Sequence, residues 1–205
     1  QAIDSDRLLV IVAERFMRTY KSAKSIAVPI TSSGEIDLVA ARYNVQVVKT
    51  RNSHLAMMEA ATSKAVQFVG GTKGGFIFTD FFFATDAMYS VAKILEMMAH
   101  TGKLLGEIDG EIPILQKAKR NVNCSWEHKG KVMRQIMRDS EGRRRDLVDG
   151  VKIYLDGTYA DASALLIPDK ERPLFHINAE AGDRQTAEVV ATEYEKKVIK
   201  WRDES

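Results

Sequence analysis

A single cysteine, Cys124, is present in the sequence, which excludes an internal disulfide and a multi-cysteine zinc site and points to a reducing compartment, the cytoplasm by default. No apolar run approaches the ~20 residues that cross a bilayer. The longest candidate, residues 81–98, is interrupted by Asp86, Ser90, Lys93 and Glu96, so no membrane partner is expected. Nor does the N-terminus read as a secretory signal, because Asp4, Asp6 and Arg7 precede the first apolar stretch. A charge excess is missing too: 30 Lys and Arg against 28 Asp and Glu leave a net +2, which argues against a nucleic-acid partner. The densest basic run, Arg143, Arg144 and Arg145, is flanked by Asp139, Glu141, Asp146 and Asp149 and reads as a solvated loop. What the chain does have is 45% hydrophobic residues over a length of 205, enough to build one large or two small cores.

Strand and helix alternate in the first half. Leu8, Leu9, Ile11, Val12, Phe16 and Met17 recur at helical spacing after a capping region at Asp4 to Asp6. Ser25 to Ile30 reads as a buried strand, followed by Thr31, Ser32, Ser33 and Gly34 as the cap of a helix over 35–43. A second strand at Val45 to Lys49, a helix through Met57, Met58 and Ala61, an apolar strand at Val66 to Val69 and a helix at Tyr89 to Ala99 follow. This pattern predicts an α/β domain with a mixed, mostly parallel sheet and helices on both sides. The charged stretch 117–131 reads as a hinge. Beyond it lie a helix at 131–138, three short strands at 151–155, 162–167 and 174–181, and a closing helix at 184–201, which predict an α+β domain with a small antiparallel sheet. The expected domains are 1–118 and 119–205.

Three segments could carry chemistry. Gly70-Gly71-Thr72-Lys73-Gly74-Gly75-Phe76 follows a strand, and its glycines would let backbone amides and Lys73 approach a hydroxyl or an anion; the same glycines could serve only to reverse the chain. The segment has neither the Walker ending nor the Rossmann spacing. His54 follows a strand beside Arg51, Asn52 and Ser53, at the end of a sheet where sites form, though a structural role is open to it. In the second half, Lys170 and Arg172 in Pro168-Asp169-Lys170-Glu171-Arg172-Pro173 could meet a phosphate, or could simply make a soluble hairpin tip. His100, His128 and His176 show no metal-ligand spacing. Asp86 is expected to cap the helix that follows it.

The order of these segments resembles the third and fourth domains of the phosphohexomutase (phosphoglucomutase/phosphomannomutase) superfamily. The resemblance rests on the Thr50-Arg51-Asn52-Ser53-His54 turn, the Gly-rich loop, Asp149-Gly150-Val151-Lys152-Ile153 and the 167–173 turn. It implies that the first domain binds sugar through Arg51, His54, Gly71, Thr72, Lys73, Gly74 and Gly75, and that the second binds phosphate through Lys170 and Arg172. The family's sugar loop has Glu, Ser and His where this chain has Thr72, Gly74 and Phe76, and its phosphate loop has Arg, Ser, Thr and Glu where Ile167, Asp169, Glu171 and Arg172 stand. The family's phosphoserine and magnesium loops lie in domains absent from this sequence. The resemblance therefore implies a fragment of a sugar-phosphate enzyme that binds a hexose phosphate, holds no catalytic residue, metal or cofactor itself, and partners the missing N-terminal domains, with a homo-oligomer left open. The closest pattern is the mutase-like tail of mannose-1-phosphate guanylyltransferase-type proteins, and a regulatory or assembly module of such a nucleotidyltransferase is the alternative.

Overall fold

The structure is a computed structural model describing residues 2–204. It divides into two units, Gln1–Ile114 and Leu115–Ser205.

The first unit runs α1 (Ser5–Thr19), β1 (Ser25–Pro29), α2 (Glu35–Tyr43), β2 (Gln46–Thr50), α3 (His54–Ala61), β3 (Phe68–Gly70), β4 (Phe76–Phe78), α4 (Ala87–Thr101) and α5 (Leu105–Glu111). Asp4 caps α1 as expected: its Oδ1 accepts the backbone N–H of Asp6 and of Arg7, both at 3.0 Å, two donors that a helix start leaves without partners. Asp86 does the same for α4, accepting the N–H of Tyr89 at 2.8 Å. The cap of α2 falls in the expected 31–34 segment: Gly34 holds the capping position and the Ser33 hydroxyl accepts the N–H of Glu35 at 3.3 Å.

The strand order is β2-β1-β3-β4, parallel except for the final antiparallel pair. Successive side chains of a strand point to opposite faces, and the packing follows that rule. Ile26, Val28, Phe68, Phe76 and Phe78 join residues of α1, α2 and α4 in one buried cluster. Ala27, Val69 and Ile77 pack instead with Met57 and Ala61 of α3. Helices thus cover both faces. Two charged residues of α1 lie inside this unit: Glu14 accepts a hydrogen bond from Arg15 Nε and another, 2.6 Å long, from the Tyr43 hydroxyl. Burial, reinforced by the Glu14 carboxylate, pushes the Tyr43 phenol up to about 12.

The second unit runs β5 (Gln116–Asn123), α6 (Trp126–Asp139), β6 (Arg145–Asp146), β7 (Val151–Tyr154), β8 (Ser163–Pro168), β9 (Leu174–Ala181) and α7 (Arg184–Asp203). Its sheet has the order β5-β9-β8-β7-β6 with every pair antiparallel, so it has five strands where three were expected. The stretch 117–131 is no hinge. Residues 116–123 form an edge strand paired with β9 along its whole length, which is why the division falls before Leu115 and not after residue 118. The arginine run is a solvated loop at Arg143 and Arg144, both exposed, with Arg144 4.2 Å from the centre of the Tyr154 ring; Arg145 departs from that reading, opening β6 and donating to the Met137 carbonyl at 2.7 Å and the Ser140 hydroxyl at 2.9 Å. Cys124 is buried, and burial pushes its thiol pKa upward, which suits a packing residue better than a reactive one.

Candidate functional site

In the first unit the Gly-rich segment is the connection of the β3–β4 hairpin. Gly70 pairs with Phe76, and between them the N–H of Gly71 donates to the Gly75 carbonyl at 3.1 Å and that of Gly74 to the Gly71 carbonyl at 3.2 Å. Gly74 and Gly75 both have positive φ, 83° and 81°, a region that side-chain-bearing L-residues enter at a cost. The loop therefore does reverse the chain, and its glycines are required for that reversal. Its position is fixed from two sides. Ser5 Oγ donates to the Thr72 carbonyl at 2.8 Å, tying the loop to the start of α1. On the other side the loop lies against α3: a Cβ on Gly71 would come within 3.0 Å of Met57 Cε, and one on Gly75 would lie 4.0 Å from Cε1 of His54 and 3.1 Å from the Thr85 methyl.

His54 is the first residue of α3, presented by Ser53, whose hydroxyl accepts the N–H of Ala56 at 3.2 Å. His54 and Met57 are three apart and share one side of the helix, which is the side the loop meets. Residues 21 positions apart in sequence are thus neighbours: exposed His54 and half-buried Gly75, with Thr72 and Gly74 half-buried and Lys73 exposed along the same loop. Arg51 is exposed at the end of β2. Phe76, which stands where the family has a histidine, is buried at 5% exposure and packs in the main core, so it cannot face a ligand. This arrangement offers an imidazole, an ammonium and a row of backbone amides and carbonyls, a set suited to neutral hydroxyls.

In the second unit the 168–173 turn joins β8 to β9, and both of its cations are engaged. Lys170 Nζ donates to Asp149 Oδ1 at 2.8 Å, and Arg172 Nε to Asp169 Oδ2 at 3.0 Å. Asp169 is the centre of the turn. Its Oδ1 accepts the backbone N–H of Glu171 at 2.8 Å and of Arg172 at 2.9 Å, and its Oδ2 lies 2.9 Å from Nε2 of His176. These donors, led by the Glu171 amide and then His176, hold the Asp169 carboxyl well below the usual carboxylate range. Sequence reasoning missed two members of this set. His176 comes into it because strand alternation buries Phe175 and Ile177 and leaves His176 on the other face. Lys129 of α6 donates to the carbonyls of both Asp169 and Arg172 at 2.5 Å and lies 3.6 Å from the centre of the Trp126 ring; nothing local marks a lysine 40 residues upstream as part of the turn.

Among the described residues, no three His, Cys, Asp or Glu side chains come together as a metal would require, and no helix is long and apolar enough to cross a membrane.

Residues 4–113 match the family model described as phosphoglucomutase/phosphomannomutase, alpha/beta/alpha domain III. Among curated proteins, the chain is 27% identical over 186 residues to a phosphoglucomutase/phosphomannomutase of Thermococcus kodakarensis, covering 90% of this chain and 40% of that protein. It is 26% identical to a phosphoglucosamine mutase of Methanocaldococcus jannaschii, covering 90% and 41%. The chain therefore spans about two fifths of the length of these relatives. Among solved structures, a phosphoglucomutase/phosphomannomutase family protein of Burkholderia thailandensis superposes with a TM-score of 0.77 at 16% identity, over 100% of this chain and 43% of that one. The N-acetylphosphoglucosamine mutase of Aspergillus fumigatus, solved in complex with GlcNAc-6P and magnesium, superposes at 0.66 and 13% identity over 97% of this chain and 47% of that one. All four are named as mutases or members of a mutase family, and the nucleotidyltransferase side of the sequence resemblance finds no support in them.

Proposed function

Because the chain belongs to the phosphoglucomutase/phosphomannomutase family, matching its domain III over residues 4–113, we propose that it is the sugar-binding and phosphate-facing part of a hexose-phosphate mutase whose phosphoryl-transfer chemistry is supplied by further segments. The first unit contacts sugar hydroxyls through the Thr72–Gly75 loop and His54, with Arg51 at the margin. The second contributes phosphate contacts from Lys170 and Arg172 of the 168–173 turn. The observation that carries this reading is the approach of His54 to Gly75, a distance of 4.0 Å from the His54 ring to a Cβ built there, because it unites the two sugar-binding features in a chain of this family. The GlcNAc-6P in the Aspergillus structure fits the same substrate class.

Any magnesium of the whole protein is assigned in this reading to those further segments; among the described residues no three His, Cys, Asp or Glu side chains come together. The same segments are the expected partner, and the α4 side chains Met88, Val91 and Leu95, all more than half exposed, give them an apolar face to cover. A cytoplasmic setting suits the single buried thiol.

His54→Ala is expected to weaken binding of glucose 6-phosphate by about tenfold, the worth of one hydrogen bond to a substrate hydroxyl, without changing the thermal midpoint, because His54 is exposed. Calorimetric titration of the variant against the parent chain checks this. An unchanged affinity would remove His54 from the site.

A further inference from the structure

The turn between β8 and β9 is built as an anion site and already contains an anion. Two backbone amides, a guanidinium N–H and an imidazole nitrogen converge within 3.0 Å on one carboxylate, that of Asp169. Paired amides, an arginine and a histidine are the groups proteins use to hold phosphate oxygens. The Asp169 side chain is only 10% exposed, so its carboxylate lies within the turn. The donors are also held in place from behind. Lys129, itself buried, fixes the carbonyls of Asp169 and Arg172, and Asn121 of β5 lies 2.7 Å from the other nitrogen of the His176 ring. A preformed set of donors does not reorganise to receive its ligand, and here its occupant is supplied in cis.

We propose that Asp169 is an internal stand-in for phosphate, so that an oxyanion reaches this turn only by exchanging with the Asp169 carboxylate. Charge works in the same direction. With Lys170 on Asp149 and Arg172 on Asp169, and exposed Glu171 between them, an incoming dianion meets three carboxylates around the turn's two cations. Displacing Asp169 frees the two amides, Arg172 and His176 together. The turn is thereby self-inhibited toward free phosphate, and it opens to a phosphate delivered on a larger ligand whose remaining contacts offset the exchange. This inference rests on the reading of the turn as the phosphate-facing loop.

The test is titration of the full chain and its Asp169→Asn and Asp169→Ser variants with inorganic phosphate at low ionic strength, followed by calorimetry and by amide NMR signals. Both variants are expected to bind phosphate at least about tenfold more tightly than the parent, the effect of releasing one charge-assisted hydrogen-bonding group, with the Glu171 and Arg172 amide signals moving on binding. Adding Arg172→Ala to either variant should abolish the gain. Folded variants that bind no more tightly than the parent would overturn the proposal, as would a gain that leaves Glu171 and Arg172 unmoved. Should neither variant fold, carbon NMR of the Asp169 carboxyl in the parent decides: a carboxyl that stays ionised well below the ordinary range supports the stand-in, and one that titrates within it overturns it. Phosphate tightening without any response of His54 and residues 72–75 to hexose 6-phosphates would sink the proposed function and leave this inference standing.

Discussion

Arg15→Met is expected to destabilise the first unit by about 3–5 kcal/mol, the range found when one partner of a buried ion pair is removed. Arg15 is 2% exposed and Glu14 only 5%, so the Glu14 carboxylate would lose its nearest cation while staying out of water. Tyr43 would still donate to it at 2.6 Å and Arg18 would remain 3.9 Å away, but a neutral hydroxyl and a distant, half-exposed guanidinium only partly balance a buried charge. The loss should appear as a lower denaturant midpoint in far-ultraviolet circular dichroism. Adding Glu14→Gln should recover most of the loss, because replacing both charges removes the desolvation penalty as well as the attraction. Were the single variant as stable as the parent, the pair would carry no weight in the core. A pH dependence accompanies this cluster. The fold holds the Tyr43 phenol in its protonated form, with the folded value raised to about 12 from an ordinary value near 10. That contribution is complete below about pH 10 and is lost as pH rises through about 12.

Lys129→Met is expected to cost the second unit about 2–3 kcal/mol, the low end for two carbonyls each losing a charged donor at roughly 1–3 kcal/mol. The low end applies because Arg172 is exposed and water can reach its carbonyl. Trp126, whose ring centre lies 3.6 Å from the Lys129 ammonium, should report the change directly in its fluorescence. The functional consequence is more specific than the stability loss. Without Lys129 the 168–173 turn loses its anchor to α6, and the amides of Glu171 and Arg172 should exchange faster with solvent than in the parent. Equal exchange rates would show that the turn holds its shape through Asp169 alone.

Most of the first unit is legible from residue pattern because β1, β3 and β4 are buried along their whole length. Ile26, Ala27 and Val28 are all fully buried, and a strand buried on both faces reads as an unbroken apolar run. The edge strand β5 hides for the opposite reason. Ala118, Arg120 and Val122 share one face, but the middle residue is an arginine, and only in the folded chain does it meet Glu188 at 2.6 Å and Glu195 at 3.5 Å on α7. A charge neutralised by a helix some 70 residues later reads locally as solvated. β6 is two residues long, too short to show a period.

The candidate site divides in the same way. The glycines of residues 70–75 and the position of His54 are visible as local features, whereas their meeting depends on the β3–β4 hairpin folding back toward the first turn of α3. In the second unit nothing in the 168–173 segment itself distinguishes Asp169 from any acidic residue of a soluble hairpin tip. The structure shows it collecting the turn's amides, and that role depends on His176, Lys129 and Asn121, which come from three other places in the chain.

The account turns on whether this chain recognises a hexose phosphate. Amide NMR of the full 205-residue chain, titrated with glucose 6-phosphate, mannose 6-phosphate and glucosamine 6-phosphate, tests it most directly. The account predicts saturable shifts at His54 and at residues 72–75 with at least one of the three sugars; no movement of these signals at saturating concentrations of all three would contradict it.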